Sequence, residues 1–237
     1  RKGKYLRPTL VLLIASALGS DPKSAINVAG SMQLSEEWIL ISDDIEDNSD
    51  ERRGKPTLHK LYGVELAINA SDALETIMWK MIVDCKNSEI IDEFYRLLIR
   101  TTLGQSVEQI WTNSKSKVDN DSYFFVADSK SAYYSMAGPM RLGAILAKAN
   151  ADQLDKITEF GLHLGRCFQL VDDILDLEQD KKHILAKFKI SEKEFEIYMN
   201  QKKRSFNEFK TEASIKNIYS SLRTLLPKGL LNASTRH

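Results

Sequence analysis

Ser42-Asp43-Asp44-Ile45-Glu46-Asp47-Asn48-Ser49-Asp50-Glu51-Arg52-Arg53-Gly54 places six acids within the nine positions Asp43 to Glu51, and two arginines follow directly. The apolar run Trp38-Ile39-Leu40-Ile41 leads into it. If that run is helical, Asp43 and Asp47 stand at i and i+4 on one face, roughly 5–6 Å apart at Cβ. Carboxylates that close repel, so the arrangement is costly unless something cationic binds there. Oxygen-only donors favour a hard cation. Two or three acids that leave room for water suit Mg²⁺, which is commonly completed by substrate phosphates. Arg52 and Arg53 can then hold a phosphate bidentately. A solvated acidic helix end is the alternative reading of this stretch taken alone.

A second copy of the pattern decides between them. Phe168-Gln169-Leu170-Val171-Asp172-Asp173-Ile174-Leu175-Asp176 again runs from apolar residues into Asp-Asp, two residues, Asp. Asp172 and Asp176 are again i and i+4. Two such motifs, each ending an apolar helical run and far apart in the chain, read as two carboxylate walls facing each other across a cavity. Metal ions and a diphosphate would lie between them.

Working outward, 237 residues suffice for one large domain with a substantial core, and no internal repeat beyond the motif pair or low-complexity linker divides it. The reading is therefore a single domain over residues 1–237. Lysine plus arginine balances aspartate plus glutamate at 33 each, so no global field argues for nucleic acid or an anionic membrane. Charge is segregated locally instead, basic at Arg1, Lys2, Lys4 and Arg7 and acidic in the two motifs. Cys85 and Cys167 are the two cysteines, with no metal-ligand spacing, which fits a reduced, cytoplasmic protein. No apolar run is long enough for a transmembrane helix, and no signal peptide is read. Opening on Arg1-Lys2-Gly3-Lys4, the chain is expected to have a further segment upstream.

Periodicity predicts helices almost throughout. Pro8 suits a first helical turn, continued by Thr9–Leu18, and Gly19-Ser20-Asp21-Pro22 is a turn. A long buried helix is expected from about Pro22 to Asp44, then an irregular loop over Asn48–Leu61. Helices are expected over Val64–Val83, apolar on most sides, and over Ile90–Thr112. Asp121–Met136 and Pro139–Ala149 follow, separated by Ala137-Gly138-Pro139. Asp152 can cap a helix running to Asp176. Glu192–Lys210 and Ser214–Leu226 read as amphipathic. Strand signals are nearly absent, so the fold class is an all-α bundle.

With these residues in view, the chain resembles the trans-isoprenyl (polyprenyl) diphosphate synthases, in particular the archaeal short-chain enzymes. The resemblance rests on five motifs in order: Gly3-Lys4-Tyr5-Leu6-Arg7-Pro8; Asp43-Asp44-Ile45-Glu46-Asp47 with Arg52-Arg53-Gly54; Gly104-Gln105; Lys130-Ser131-Ala132; and Phe168-Gln169 with Asp172-Asp173-Ile174-Leu175-Asp176. It covers the chain from Gly3 to about Asp180. It implies an isoprenoid-synthase-type helical bundle around a central cavity, usually a homodimer. It also implies a Mg²⁺-dependent prenyltransferase, using two or three ions, that condenses isopentenyl diphosphate with an allylic prenyl diphosphate.

The resemblance assigns roles by position. Asp43, Asp44, Asp47, Asp172, Asp173 and Asp176 would supply the metal ligands. Arg52 and Lys130 would hold the allylic diphosphate, and Lys4, Arg7 and Arg53 the isopentenyl diphosphate. Ser131 and Gln169 would support the cation and leaving group by their dipoles, and the released diphosphate would take the proton. Taken alone, Lys4, Arg7 and Lys130 are ordinary solvated cations and Gln169 a core amide. His59 and His163 are read as structural.

Two departures stand out. Seven residues before Asp43, where the family usually has histidine or glutamine near the isopentenyl diphosphate site, this chain has Glu36, which is protonated, paired with Lys4 or Arg7, or turned away. After Asp176 the usual Gly-Asp-x-x-Glu-x-Lys-x-Thr stretch does not follow. Either it is absent or a loop has been omitted near Lys182, and the second is favoured because a metal-organised loop is often disordered without ligand. Product length is read from Trp38 and Ile39, five and four positions before Asp43. One aromatic and no insertion in the motif resembles C20 synthases, with C15 as the alternative. Two other functional classes are a weakly active or regulatory subunit of a heteromeric synthase, suggested by Glu36 and the absent lysine stretch, and a terpene cyclase. Lys4, Arg7 and Arg53 weigh against a cyclase, which has no second diphosphate to hold.

Overall fold

The computed structural model describes residues 3–114 and 118–179, together with 191, 193, 196, 197 and 200, and excludes the side chains of residues 174–179. The helix expected over Ser214–Leu226, most of that over Glu192–Lys210, and the junction near Lys182 lie outside the described residues, as do Arg1 and Lys2. The described residues are all but entirely helical, as the periodicity predicts. None of their helices is long and apolar enough to cross a membrane. The chain divides into two compact units, Arg1–Tyr95 with Pro139–Asn150, and Arg96–Gly138 with Ala151–His237.

In the first unit, α1 (Leu6–Ala17) and a 3₁₀ turn (Pro22–Ala25) precede α2 (Ile26–Glu46). Gly19, at φ 90°, closes α1, with its N–H on Ser16 O and that of Ser20 on Ala15 O, so the last carbonyls are satisfied. The end of α2 uses the same device with an asparagine. Asn48 takes φ 50° while its N–H bonds Ile45 O and that of Ser49 bonds Asp44 O. Asparagine tolerates this left-handed conformation better than other side chains do. The helix therefore stops at Asp47.

The loop expected over Asn48–Leu61 is more regular than its composition suggests. Glu51–Arg52 (β1) pairs antiparallel with Lys55–Pro56 (β2), Arg52 opposite Lys55, and α3 (Leu58–Tyr62) follows. The two-residue connection Arg53-Gly54 has positive φ at both positions, 54° and 69°, as a type I′ hairpin turn requires. Thr57, fully buried, donates from Oγ1 to Ser49 O at 2.7 Å and ties the ribbon back to the end of α2.

α4 (Val64–Asp84) runs antiparallel to α2. Ser71 Oγ donates to Trp38 O at 3.2 Å, and Met81 packs against Gly30. Its buried positions Ala67, Ser71, Met78 and Ile82 recur at helical spacing. Leu66, Ile68, Ile77 and Val83 stay exposed, so the helix that reads as apolar on most sides buries one side within this chain. Val11, Val28, Met32, Phe94 and Leu142 complete the unit's core. Burying side chains of this size contributes about 1.5–3 kcal/mol each.

The division between units falls within α5 (Ser88–Ser114). The second unit contains α6 (Asn120–Val126), an eleven-residue π-helical segment (Ala127–Ala137) and α8 (Ala151–Gln179), around Leu97, Tyr133, Tyr134, Met136 and Leu170. The break expected at Ala137-Gly138-Pro139 is absent. The π-helical segment passes directly into α7 (Gly138–Leu146), because Gly138 is helical and Pro139 falls in a first turn, where its missing N–H is no loss. Asp152 does not cap α8. It lies inside the first turn, ion-paired with Lys156.

In the first unit Arg141 of α7 and Glu93 of α5 form a buried bidentate pair at 2.9 and 2.8 Å, with Glu93 2% exposed. Removing one partner strands the other charge. Glu93→Ala should cost about 3–5 kcal/mol in urea unfolding, and replacing both partners with apolar residues of similar volume should recover most of that loss.

Candidate functional site

The end of α2 carries the first acidic motif. The helical bond from Asp47 N to Asp43 O, 2.9 Å, keeps the two aspartates one turn apart, as their spacing predicts. Asp44 is buried and Asp43 half-buried, while Glu46, Asp47 and Asp50 are exposed. The hairpin returns Arg52 onto this helix end, with Nε 2.5 Å from Asp44 Oδ1 and Nη2 3.3 Å from Asp43 Oδ2. A guanidinium thus screens the repulsion expected of the motif.

Arg53, the first residue of the hairpin turn, leaves the strand with positive φ and is directed elsewhere. Its Nη2 is 3.1 Å from Glu36 Oε1 and its Nη1 3.4 Å from Glu37 Oε1. Arg7 of α1 reaches the other oxygen of Glu36, also at 3.1 Å. Of the three states open to Glu36, pairing is the observed one, with Arg7 and Arg53 as partners. Gly3 lies against the Arg53 guanidinium, and a Cβ there would sit 3.2 Å from both terminal nitrogens. Lys4 is exposed beside it. Trp38 and Ile39 are half-buried on α2.

The second unit holds the other motif. Asp173 accepts Tyr123 Oη at 2.5 Å on one carboxylate oxygen and Gln169 Nε2 at 2.8 Å on the other. Gln169 is thus oriented by a side chain rather than satisfied by backbone. Asp172 is half-buried one residue before, and the side chain of Asp176 lies outside the described residues. Lys130, on the π-helical segment, ion-pairs with Glu108 of α5, and Ser131 beside it is half-buried. Segments of π-helix are uncommon and concentrate at functional sites.

Close backbone approach sets this arrangement. A Cβ at Gly161 would fall 2.4 Å from Ala137 Cα, and one at Gly165 2.4 Å from Ala132 Cα, so α8 and the π-helical segment meet backbone to backbone. Gly104 gives α5 the same access, with a Cβ there meeting Lys130 N at 2.7 Å. Arg166 locks the α8 side with a bidentate pair to Asp128, both distances 2.6 Å. The hydrogen bonding to Asp128 holds its guanidinium above its ordinary pKa, against the opposing effect of burial. Burial raises the Cys167 and Cys85 thiols, the latter further by Asp84, so both stay protonated rather than nucleophilic.

The sequence reading missed Tyr123 and Glu108, while its loop start at Asn48 agrees with the end of α2. Tyr123 and Glu108 lie 50 and 22 residues from their partners, and no local pattern announces them.

The donor set at the end of α2 is carboxylate oxygen only, which fits a hard divalent cation. Among the described residues no three His, Cys, Asp or Glu side chains already converge on one point. Bound water and substrate oxygens would complete the coordination.

The described residues, nearly all helical and with Asp-rich ends on α2 and α8, have the isoprenoid synthase fold. A polyprenyl synthase from Caulobacter crescentus superposes with TM-score 0.80 over 96% of this chain and 80% of that one, at 18% identity. The chain belongs to the polyprenyl synthetase family, whose profile matches residues 1–202. It is 35% identical to a (2E,6E)-farnesyl diphosphate synthase of Mycobacterium tuberculosis over 74% of this chain and 49% of the relative. It is 32% identical to a geranylgeranyl diphosphate synthase of Saccharolobus solfataricus over 77% of this chain and 56% of that one. The chain thus spans about half the length of these relatives.

The Gly165 contact is testable directly. Gly165→Ala should lower stability by about 1–3 kcal/mol in denaturant unfolding, because a methyl there presses on backbone that cannot move aside alone. A neutral effect would mean that the two helices do not touch at this point.

Proposed function

We propose that this chain is a Mg²⁺-dependent, short-chain prenyltransferase that joins isopentenyl diphosphate to an allylic diphosphate. The observation that carries the reading is the pairing of acids and guanidiniums along α2, with Arg52 on Asp43 and Asp44 at its end and Arg53 and Arg7 on Glu36 two turns earlier. The relatives named as farnesyl and geranylgeranyl diphosphate synthases support it.

In this reading the allylic C–O bond to diphosphate breaks and the double bond of isopentenyl diphosphate forms the new C–C bond. A proton then passes to the released diphosphate. Asp43, Asp44, Asp47, Asp172, Asp173 and Asp176 would hold two or three Mg²⁺ ions. When bound, these supply charge stabilisation to the departing diphosphate. Arg52 and Lys130 add fixed positive charge to the same leaving group. Lys4, Arg7 and Arg53 position isopentenyl diphosphate, which makes the coupling effectively unimolecular. Gln169, oriented through Asp173 and Tyr123, and Ser131 present dipoles to the developing cation. Trp38 and Ile39 limit chain growth, with C20 the favoured product and C15 the alternative.

Radiolabelled isopentenyl diphosphate with dimethylallyl, geranyl or farnesyl diphosphate should give extended products that disappear with chelator and return with Mg²⁺. Absence of product at any Mg²⁺ concentration from the full-length protein would sink the reading. A large gain in turnover from Glu36→His would argue for an active enzyme rather than a regulatory subunit. Trp38→Ala should lengthen the product, seen by chromatography after dephosphorylation. An unchanged length places the limit elsewhere, with Met78 and Trp79 of α4 the next positions to test.

A homodimer is part of the proposal, supported by the exposed apolar side chains Leu66, Ile68, Ile77 and Val83 on α4. Light scattering at micromolar protein should give twice the 26.9 kDa chain mass, and a chain-mass species alone would contradict it.

A further inference from the structure

Arg7 and Arg53 come from different elements, α1 and the hairpin tip, yet each meets one oxygen of the same carboxylate. Glu36 is 7% exposed and receives both contacts at 3.1 Å. Two guanidiniums on the two oxygens of one buried anion reproduce the chemistry by which such a pair would grip a diphosphate. An external anion at these arginines meets a carboxylate already seated there, and the two like charges repel.

Resting on the assignment of Arg7 and Arg53 to a substrate diphosphate, we propose that Glu36 is an internal competitor for that site and thereby determines its specificity. An incoming anion must replace both Glu36 contacts and compete with the third ion pair, from Arg53 to Glu37 at 3.4 Å. A diphosphate brings two phosphoryl groups, one for each guanidinium, and carries enough charge to offset the loss. A single phosphate or a sulfate satisfies one guanidinium while Glu36 keeps the other, and gains too little to enter. The carboxylate therefore weakens binding of every anion but weakens small ones most. The familiar His or Gln at this position would leave the arginines open to both.

The test is titration calorimetry of full-length protein with inorganic pyrophosphate and with inorganic phosphate, without Mg²⁺, so that the aspartate motifs repel rather than recruit the probe. The wild type should bind pyrophosphate and give no heat with phosphate at the same concentration. Glu36→Gln, which keeps the side-chain volume, should bind pyrophosphate about tenfold or more tighter, a change of about 1.4 kcal/mol or more, and should make phosphate binding measurable. Pyrophosphate binding by Glu36→Gln that is equal or weaker overturns the proposal. So does wild-type protein that binds both anions alike or neither, a result that needs no variant to fold. If the prenyl transfer assay gives no product while Glu36→Gln still tightens pyrophosphate, the proposed reaction fails and the competition stands. If product forms and Glu36→Gln does not tighten the probe, the competition alone fails.

Discussion

Arg52 lying across Asp43 and Asp44 is the contact on which the candidate site depends. Asp43, Asp44, Glu46 and Asp47 crowd the end of α2 and repel one another, and the hairpin supplies a countercharge from eight and nine residues downstream. That requirement explains the local architecture. The helix must stop at Asp47, which Asn48 achieves by turning left-handed. The chain must then reverse within a few residues, which Arg53 and Gly54 achieve with positive φ. Arg52 then faces the aspartates and Arg53 faces Glu36. The same economy of charge recurs at Lys130 on Glu108 and at Arg7 on Glu36, so that several cations of the proposed diphosphate sites rest on carboxylates of the protein itself.

The second unit is organised by contact distance as well as by charge. Small residues at Gly161, Gly165 and Gly104 let three helical segments approach to the limit set by their backbones. Tyr123 reaches Asp173 of α8, and Gln169 meets the same carboxylate from one turn away. The motif residues Gly104, Lys130 and Gln169 are widely spaced in sequence because each comes from a different segment of this packing.

Helices long enough to repeat their apolar spacing were legible in the sequence, as were both acidic motifs, because each is a local pattern. α4 runs Val64–Asp84 where periodicity puts Val64–Val83. What local pattern does not carry was not legible. Period alone does not separate an α-helix from the π-helical turns over Ala127–Ala137. The hairpin at Arg53 has an arginine where turn chemistry favours Asn, Asp or Gly, so its composition reads as loop. Pairings such as Glu93 with Arg141, or Tyr123 with Asp173, depend on which helix lies alongside which. Glu36 is the instructive intermediate case: its conflict with an anion site is visible in sequence, but its two partners are identified only by the fold.

Arg53 occupies a backbone region that costs most non-glycine residues about 1 kcal/mol or more, and it does so at the tip of an exposed turn. Residues at ease in that conformation, glycine and asparagine, carry no positive charge. Lysine and arginine, which carry a permanent positive charge, are not at ease there. On the proposed assignment of Arg53 to a diphosphate, the turn therefore sets loop robustness against anion affinity at a single position. Sequence drift that makes this loop sturdier would then also make it a poorer partner for phosphate.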